Sequence, residues 1–244
     1  MIANPALEID GTYNFRSTGG YAAGERTVRE GKLFRSDALH RLSEAGRKRL
    51  ESLGIATVID LRDETELTSA PSAVGGLPLH ISHHPIFESV QVPGLAARTT
   101  LAEVYRLIIE RHADRLAQAV RLIAESGDGG VLVHCTAGKD RTGLVIATAL
   151  LAVGVDREQV LADYSASESN LSGPWAEAML AAIELHTSAP LDEAVRELVT
   201  ASPAVVLAEA LDLVDTLFGS PAGLLAAHGF DDADQARLRD ALTH

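Results

Sequence analysis

One stretch constrains this chain more than any other, the run from Val131 to Val153. Val131, Leu132 and Val133 read as a buried strand, and Leu144 to Val153 as a buried helix. The ten residues between them, His134-Cys135-Thr136-Ala137-Gly138-Lys139-Asp140-Arg141-Thr142-Gly143, are then a strand-to-helix turn. Gly138 and Gly143 are free to take tight or left-handed geometry. Such a turn gathers backbone N–H groups at a helix N-terminus, which is a ready anion site. Cys135 opens the loop and Arg141 closes it. A thiol at a helix terminus beside cations is a nucleophile in waiting, and a planar guanidinium grips two oxygens of an oxyanion at once. A buried Cys followed by a charged helix start is the plainer reading, but it does not account for His, Gly, Arg and Thr at these offsets.

Composition sets the outer limits. With 244 residues and 46% hydrophobic content, the chain can build one substantial core, and a single domain over residues 1–244 is expected. Its 21 Lys and Arg stand against 34 Asp and Glu, a net charge of −13. That argues against a nucleic-acid partner, whose footprint would be basic. A protein this acidic must concentrate positive potential locally to bind phosphate. The single Cys allows no intramolecular disulfide and fits a reducing compartment. The N-terminus lacks the basic and apolar regions of a signal peptide. The longest apolar run, Leu144 to Val153, is too short to span a bilayer. A cytoplasmic protein without an integral membrane segment is the expectation, export by another route staying open. Oligomeric state is not legible.

Along the chain, Lys32 to Ser36 predicts a short strand, and Ser43 caps a helix that Gly54 stops. Ile55 to Leu61 is β-branched and predicts a strand that ends in Asp60-Leu61-Arg62. Leu79 to Ser82 predicts another strand. His80, His83 and His84 lack the carboxylate or Cys partners of a usual metal site, so no metal is assigned. One long helix, or two joined ones, spans about Thr100 to Ser126. Asp156 caps the helix after the motif. From Pro174 onward the pattern is helical, with Pro190, Pro203 and Pro221 at helix starts.

The loop HCTAGKDRTG resembles that of the bacterial cysteine-dependent protein tyrosine phosphatases, a loop shared with some dual-specificity and phosphoinositide phosphatases. Asn14-Phe15-Arg16, Leu33-Phe34-Arg35-Ser36, Asp60-Leu61-Arg62 and Asp163-Tyr164 with Ser169-Asn170 are similar to further motifs of that family. Ser17 and Thr18 depart from its usual Asp-Leu. The resemblance implies an α/β fold of the cysteine-phosphatase type, a central mixed or mostly parallel sheet flanked by helices, with a helical C-terminal half. Some members carry a lid before the long helix. Here the interval from Pro85 to Tyr105 is short for one.

The resemblance also implies the chemistry. Cys135 attacks phosphorus to form a phosphocysteine, while Arg141 and the N–H groups of residues 136–141 hold the non-bridging oxygens. Thr136, Ala137 and Gly138 belong to that cradle. Thr142 would hydrogen-bond the sulfur, and His134 would orient the loop. Lys139 adds a second cation that would favour substrates with more than one phosphate. Asp140 is the first choice for general acid, with Glu88 and Asp60 as rivals and Arg62 as a supporting residue. No cofactor or metal is required. The expected substrates are phosphotyrosine, then phosphoserine, phosphothreonine or phosphoinositides, carried on a protein or a lipid. A non-catalytic phosphate-binding module is the alternative. Arsenate reductase chemistry wants resolving cysteines that this chain lacks.

Overall fold

The computed structural model describes residues 2–87, 100–187, 191 and 193–244. The chain opens with three short strands, β1 (Arg16–Ser17), β2 (Ala22–Ala23) and β3 (Arg26–Thr27), then β4 (Leu33–Ser36). Helix α1 (Glu44–Ser52) leads to β5 (Ile55–Asp60), α2 (Glu64–Ser69) and β6 (His80–His83). Helices α3 (Leu101–Arg111) and α4 (Ala113–Ala124) precede β7 (Gly130–His134), which runs into α5 (Asp140–Ala152). The remainder is helical: α6 (Arg157–Asn170), α7 (Pro174–Thr187), α8 (Glu193–Thr200), α9 (Ala204–Phe218), α10 (Pro221–Ala227) and α11 (Asp232–Leu242).

Five strands form one mixed sheet in the order β1-β4-β7-β5-β6. β1 runs antiparallel to β4, and the other three pairings are parallel. The expected mixed sheet with a helical C-terminal half is the fold observed. Parallel strands need crossover connections: α1 lies between β4 and β5, α2 between the neighbours β5 and β6, and α3 with α4 between β6 and β7, which inserts between β4 and β5.

Strand alternation separates two cores. Leu33, Ile59, Val131 and Val133 face α3 to α6 and α9 to α11. Phe34, Val58 and Leu132 point the opposite way, onto Leu39, Leu42 and Leu50. Every residue of β7 is buried, as a central parallel strand requires. Helix α5 is buried from Arg141 through Leu150. At about 1.5–3 kcal/mol for each fully buried aliphatic side chain, this β7–α5 unit is the best anchored part of the fold.

Of the two readings for about Thr100 to Ser126, two joined helices are the ones found, because His112 (φ −132°, ψ 23°) leaves helical geometry, ending α3 and starting α4. One detail differs from the sequence reading. Strand β6 is shifted one residue toward the C-terminus. Among the described residues, no single helix is long and apolar enough to cross a membrane.

The site lies where parallel strands end together. β7 delivers His134 and the motif loop, β5 delivers Asp60 to Arg62, and β4 delivers Ser36 and Asp37. A crevice at strand C-termini is where α/β sheets bind ligands.

Candidate active site

The loop's shape follows from what it packs against. Gly138 has φ +66°, and a Cβ there would lie 2.1 Å from the Ser36 carbonyl oxygen, so no other residue fits. The loop carbonyls are held from outside. The Ala38 amide donates to Thr136 O (3.0 Å), Asn14 Nδ2 to Ala137 O (3.0 Å) and Gly138 O (3.1 Å), and Arg35 Nη2 to Gly138 O (2.8 Å). With the carbonyls turned outward, the amides turn inward. Among the described residues, none of the N–H groups of 136–141 donates to a protein acceptor. Six donors at the start of α5, beside Cys135, make an arc fitted to an oxyanion. Cys135 is buried, 2% exposed.

Behind the loop sits one buried carboxylate, Asp163 of α6. It accepts from Arg16 Nε (3.1 Å), Arg35 Nη1 (2.5 Å) and the Tyr21 hydroxyl (3.1 Å). Arg16 also donates to Asn14 O and Oδ1, and Asn170 Nδ2 donates to Asn14 Oδ1. Burial opposes ionisation of Asp163, but the two guanidiniums outweigh it and hold the carboxyl below its usual range. The segments around residues 14–16, 35 and 163–170 thus converge on the back of the loop, bracing its carbonyls.

Arg141 is fixed from the front. Its Nη1 and Nη2 donate to Glu66 Oε2 (2.5 Å) and Oε1 (2.7 Å), and the Thr136 hydroxyl donates to the same carboxylate. Glu66 is itself pinned, because its Oε2 accepts from the Asp63 amide (2.9 Å) in the capping box that starts α2. The Arg141 guanidinium lies 5.5 Å from the centre of the Phe87 ring. Burial works against the Arg141 charge, yet Glu66, with Cys135 and Asp140 nearby, pushes its pKa up. Sequence reasoning missed Glu66. The signal was Asp63-x-x-Glu66, a capping box directly after a strand end.

Asp60 and Arg62 are brought together and are 1% exposed. Arg62 Nε and Nη2 donate to Asp60 (2.9 and 2.6 Å), and Nη1 and Nη2 bind Ala70 O and Ser72 Oγ. Burial would raise the Asp60 pKa, but Arg62 more than offsets it, which leaves an ionised carboxylate poorly suited to give up a proton. His134 has Nδ1 3.2 Å from the Cys135 carbonyl and Nε2 3.5 Å from Asp60, the latter too far for a good hydrogen bond. Burial holds this imidazole below its ordinary value despite Asp60, so it is neutral at pH 7.

Two motif side chains do other work than expected. Lys139 is fully buried, and its Nζ donates to Leu198 O and Ala201 O (both 2.8 Å) at the end of α8. It ties the C-terminal helices to the loop instead of pointing into the cradle. The Thr142 hydroxyl is buried without a hydrogen-bond partner, so the bond to the Cys135 sulfur is not made in this structure. His83 and His84 direct Nε2 at the Arg62 and Arg115 carbonyls. Glu88 lies outside the described residues.

Asp140 stands at the first turn of α5 with its side chain 26% exposed. The Tyr105 hydroxyl donates to its Oδ1 (2.8 Å), and Lys139 Nζ lies 3.5 Å from the same oxygen. It is the carboxylate inside the motif and at its mouth.

Residues 7–244 match the profile of the "Tyrosine phosphatase family". A curated relative, "Triple specificity protein phosphatase PtpB" of Mycobacterium tuberculosis, is 33% identical over 278 aligned positions, 96% of this chain and 98% of the relative. The alignment is longer than this chain's 244 residues, so the relative has segments that this chain lacks. A "Tyrosine-protein phosphatase" of Nostoc commune is 31% identical over 58% of this chain and 50% of that protein. Among solved structures, P. aeruginosa TpbA matches 61% of this chain and 80% of its own at 21% identity and a TM-score of 0.38, too slight to bear on the site.

Proposed function

The chain belongs to the tyrosine phosphatase family, and on that premise we propose that it hydrolyses phosphomonoesters through a phosphocysteine on Cys135. It is an enzyme of the protein-tyrosine-phosphatase type, acting on phosphorylated substrates. The observation that carries the residue assignments is the arc of amides 136–141. Among the described residues they find no protein acceptor, they run from Cys135 to Arg141, and the carbonyls of residues 136–138 are held from outside the loop. Such preorganised donors lose little on binding a dianion, since no protein bond must break first.

In the first step the Cys135 thiolate forms a bond to phosphorus as the ester oxygen leaves. The electron pair goes with that oxygen, which takes a proton from Asp140. In the second step water attacks the phosphocysteine, giving its proton to Asp140, and the thiolate departs with release of phosphate. Arg141 and the cradle of Thr136, Ala137, Gly138 and Lys139 amides hold the three equatorial oxygens throughout. Asp140 is preferred to Asp60 because Asp60 is spent on Arg62.

Phosphotyrosine is the leading substrate. A relative named for triple specificity supports testing phosphoserine, phosphothreonine and phosphoinositides beside it. The reading treats residues 1–244 as one phosphatase domain, supported by a core cluster that runs from Tyr21 to Leu242 and a second on the other face of the same sheet, and places it in the cytoplasm. The test is p-nitrophenyl phosphate turnover. Cys135→Ser is expected to lower it at least about 10³-fold while phosphate still protects the fold from heat. A Cys135→Ser variant that turns over normally overturns the assignment. A wild-type protein that binds phosphate but hydrolyses no ester in the panel is a binding module instead.

A further inference from the structure

Two tyrosines far apart in sequence meet the motif carboxylate. Tyr105 of α3 and Tyr164 of α6 are each 1% exposed, with rings edge to face and centroids 6.2 Å apart. The Tyr105 hydroxyl lies 2.8 Å from Asp140 Oδ1 and 2.7 Å from the Tyr164 hydroxyl. Each phenol has one proton. If Tyr105 donates to Asp140, the short contact to Tyr164 is a bond donated by Tyr164 to the Tyr105 oxygen. The order of donation is Tyr164 to Tyr105 to Asp140, in which each bond strengthens the next. Burial, reinforced by the Asp140 charge, pushes both phenols above their ordinary value, so they stay donors. The backbone makes room for this chain of bonds: a Cβ on Gly143 would sit 2.9 Å from the Tyr164 ring.

We propose that Tyr105 is a positioning residue for the general acid, holding Asp140 Oδ1 so that Oδ2 carries the transferable proton, with Tyr164 aiming Tyr105. This rests on Asp140 being the acid. Oδ1 is occupied by the Tyr105 hydroxyl and lies 3.5 Å from the Lys139 ammonium, both of which favour negative charge there. No partner of Oδ2 is found among the described residues, and the side chain is a quarter exposed at the mouth of the cradle. A carboxyl free to rotate would present either oxygen; one pinned by a phenol presents the other.

The experiment compares wild type, Asp140→Asn, Tyr105→Phe and Tyr164→Phe on phenyl phosphate, whose leaving group needs a proton, and on 2,4-dinitrophenyl phosphate, whose leaving group does not. Asp140→Asn is expected to lose about 10²–10⁴-fold on phenyl phosphate and little on the dinitrophenyl ester. Tyr105→Phe is expected to lose about tenfold in kcat/KM on phenyl phosphate and little on the other ester. Tyr164→Phe should show the same leaving-group selectivity to a lesser extent, and it decides the matter should Tyr105→Phe not fold. If Asp140→Asn behaves as stated but the tyrosine variants lose nothing or lose equally on both esters, the positioning role is wrong and the acid assignment stands. If Asp140→Asn itself loses equally on both esters, both fall.

Discussion

Glu66 closes a two-pronged ion pair on Arg141, with Oε2 2.5 Å from Nη1 and Oε1 2.7 Å from Nη2. Two geometric facts show that Glu66 supports Arg141 and does not mimic the substrate. Its carboxylate is tied to the Asp63 amide at the start of α2, and the amides of residues 136–141 are not among its donors. The pair engages one N–H of each terminal nitrogen and sets the plane of the guanidinium.

Glu66→Gln keeps the shape but removes the charge, and Glu66→Ala removes both. We expect kcat/KM to fall about tenfold for Gln and about 10²-fold for Ala, because an unsupported guanidinium wanders from the transition-state geometry. Inhibition by inorganic phosphate should weaken in parallel. Tighter phosphate inhibition in Glu66→Ala would mean that the carboxylate competes for the anion site.

Asp163→Asn leaves two buried guanidiniums, Arg16 and Arg35, without a counter-charge. Removing one partner of a buried pair costs about 3–5 kcal/mol. In a protein of this size that lowers Tm by about 10 °C. Differential scanning calorimetry reads the shift, and an unchanged Tm would show that Asp163 does not hold the loop's rear.

Lys139→Met removes the bonds to Leu198 and Ala201 but no contact with the cradle. The expected result is a lower Tm and the same proportional change in kcat/KM on p-nitrophenyl phosphate as on a bisphosphorylated inositide. A selective loss on the inositide would return Lys139 to the substrate.

Stability should fall in two stages as pH drops. Burial holds His40, His84 and His134 below the ordinary histidine value. The unfolded chain therefore binds more protons just below about pH 6.5, and stability declines there. Asp60, Glu66 and Asp163 are held below the usual carboxylate range by their arginine partners, which outweigh burial. Their contribution is intact above about pH 4 and is lost as pH falls through the folded values. Asp37, pushed up by burial, acts in the opposite sense in that second stage. Urea midpoints from pH 7 down to pH 3 test this, and a flat midpoint between pH 7 and 5 would refute the histidine part.

Much of the architecture is legible because its signals are local. Three consecutive aliphatics before Cys135 and ten apolar-rich residues after Gly143 define the strand, the turn and the helix without help from the rest of the chain. Prolines mark the late helices almost to the residue: Pro203 is the N-cap of α9 and Pro221 the first residue of α10. One helix or two joined ones stayed open over residues 100–126, because a single non-helical residue, His112, between two amphipathic helices leaves the periodicity nearly unchanged.

The site divides along the same line. Cys135, Arg141 and Asp140 lie within seven residues of one another, so the motif and its family resemblance single them out together as candidates. Which side chains face the anion and which brace the loop could not, because that depends on contacts between segments distant in sequence. Lys139 looks like a ligand cation until the end of α8 is brought beneath it. Glu66 looks like a cap until α2 is set against α5. Asp163 meets Arg16 147 residues away. Burial makes these pairings obligatory, since a charge taken from water must find a partner wherever the fold provides one. The sequence by itself singled out Cys135, Arg141 and the helix that follows them; only the tertiary structure decided what holds them still.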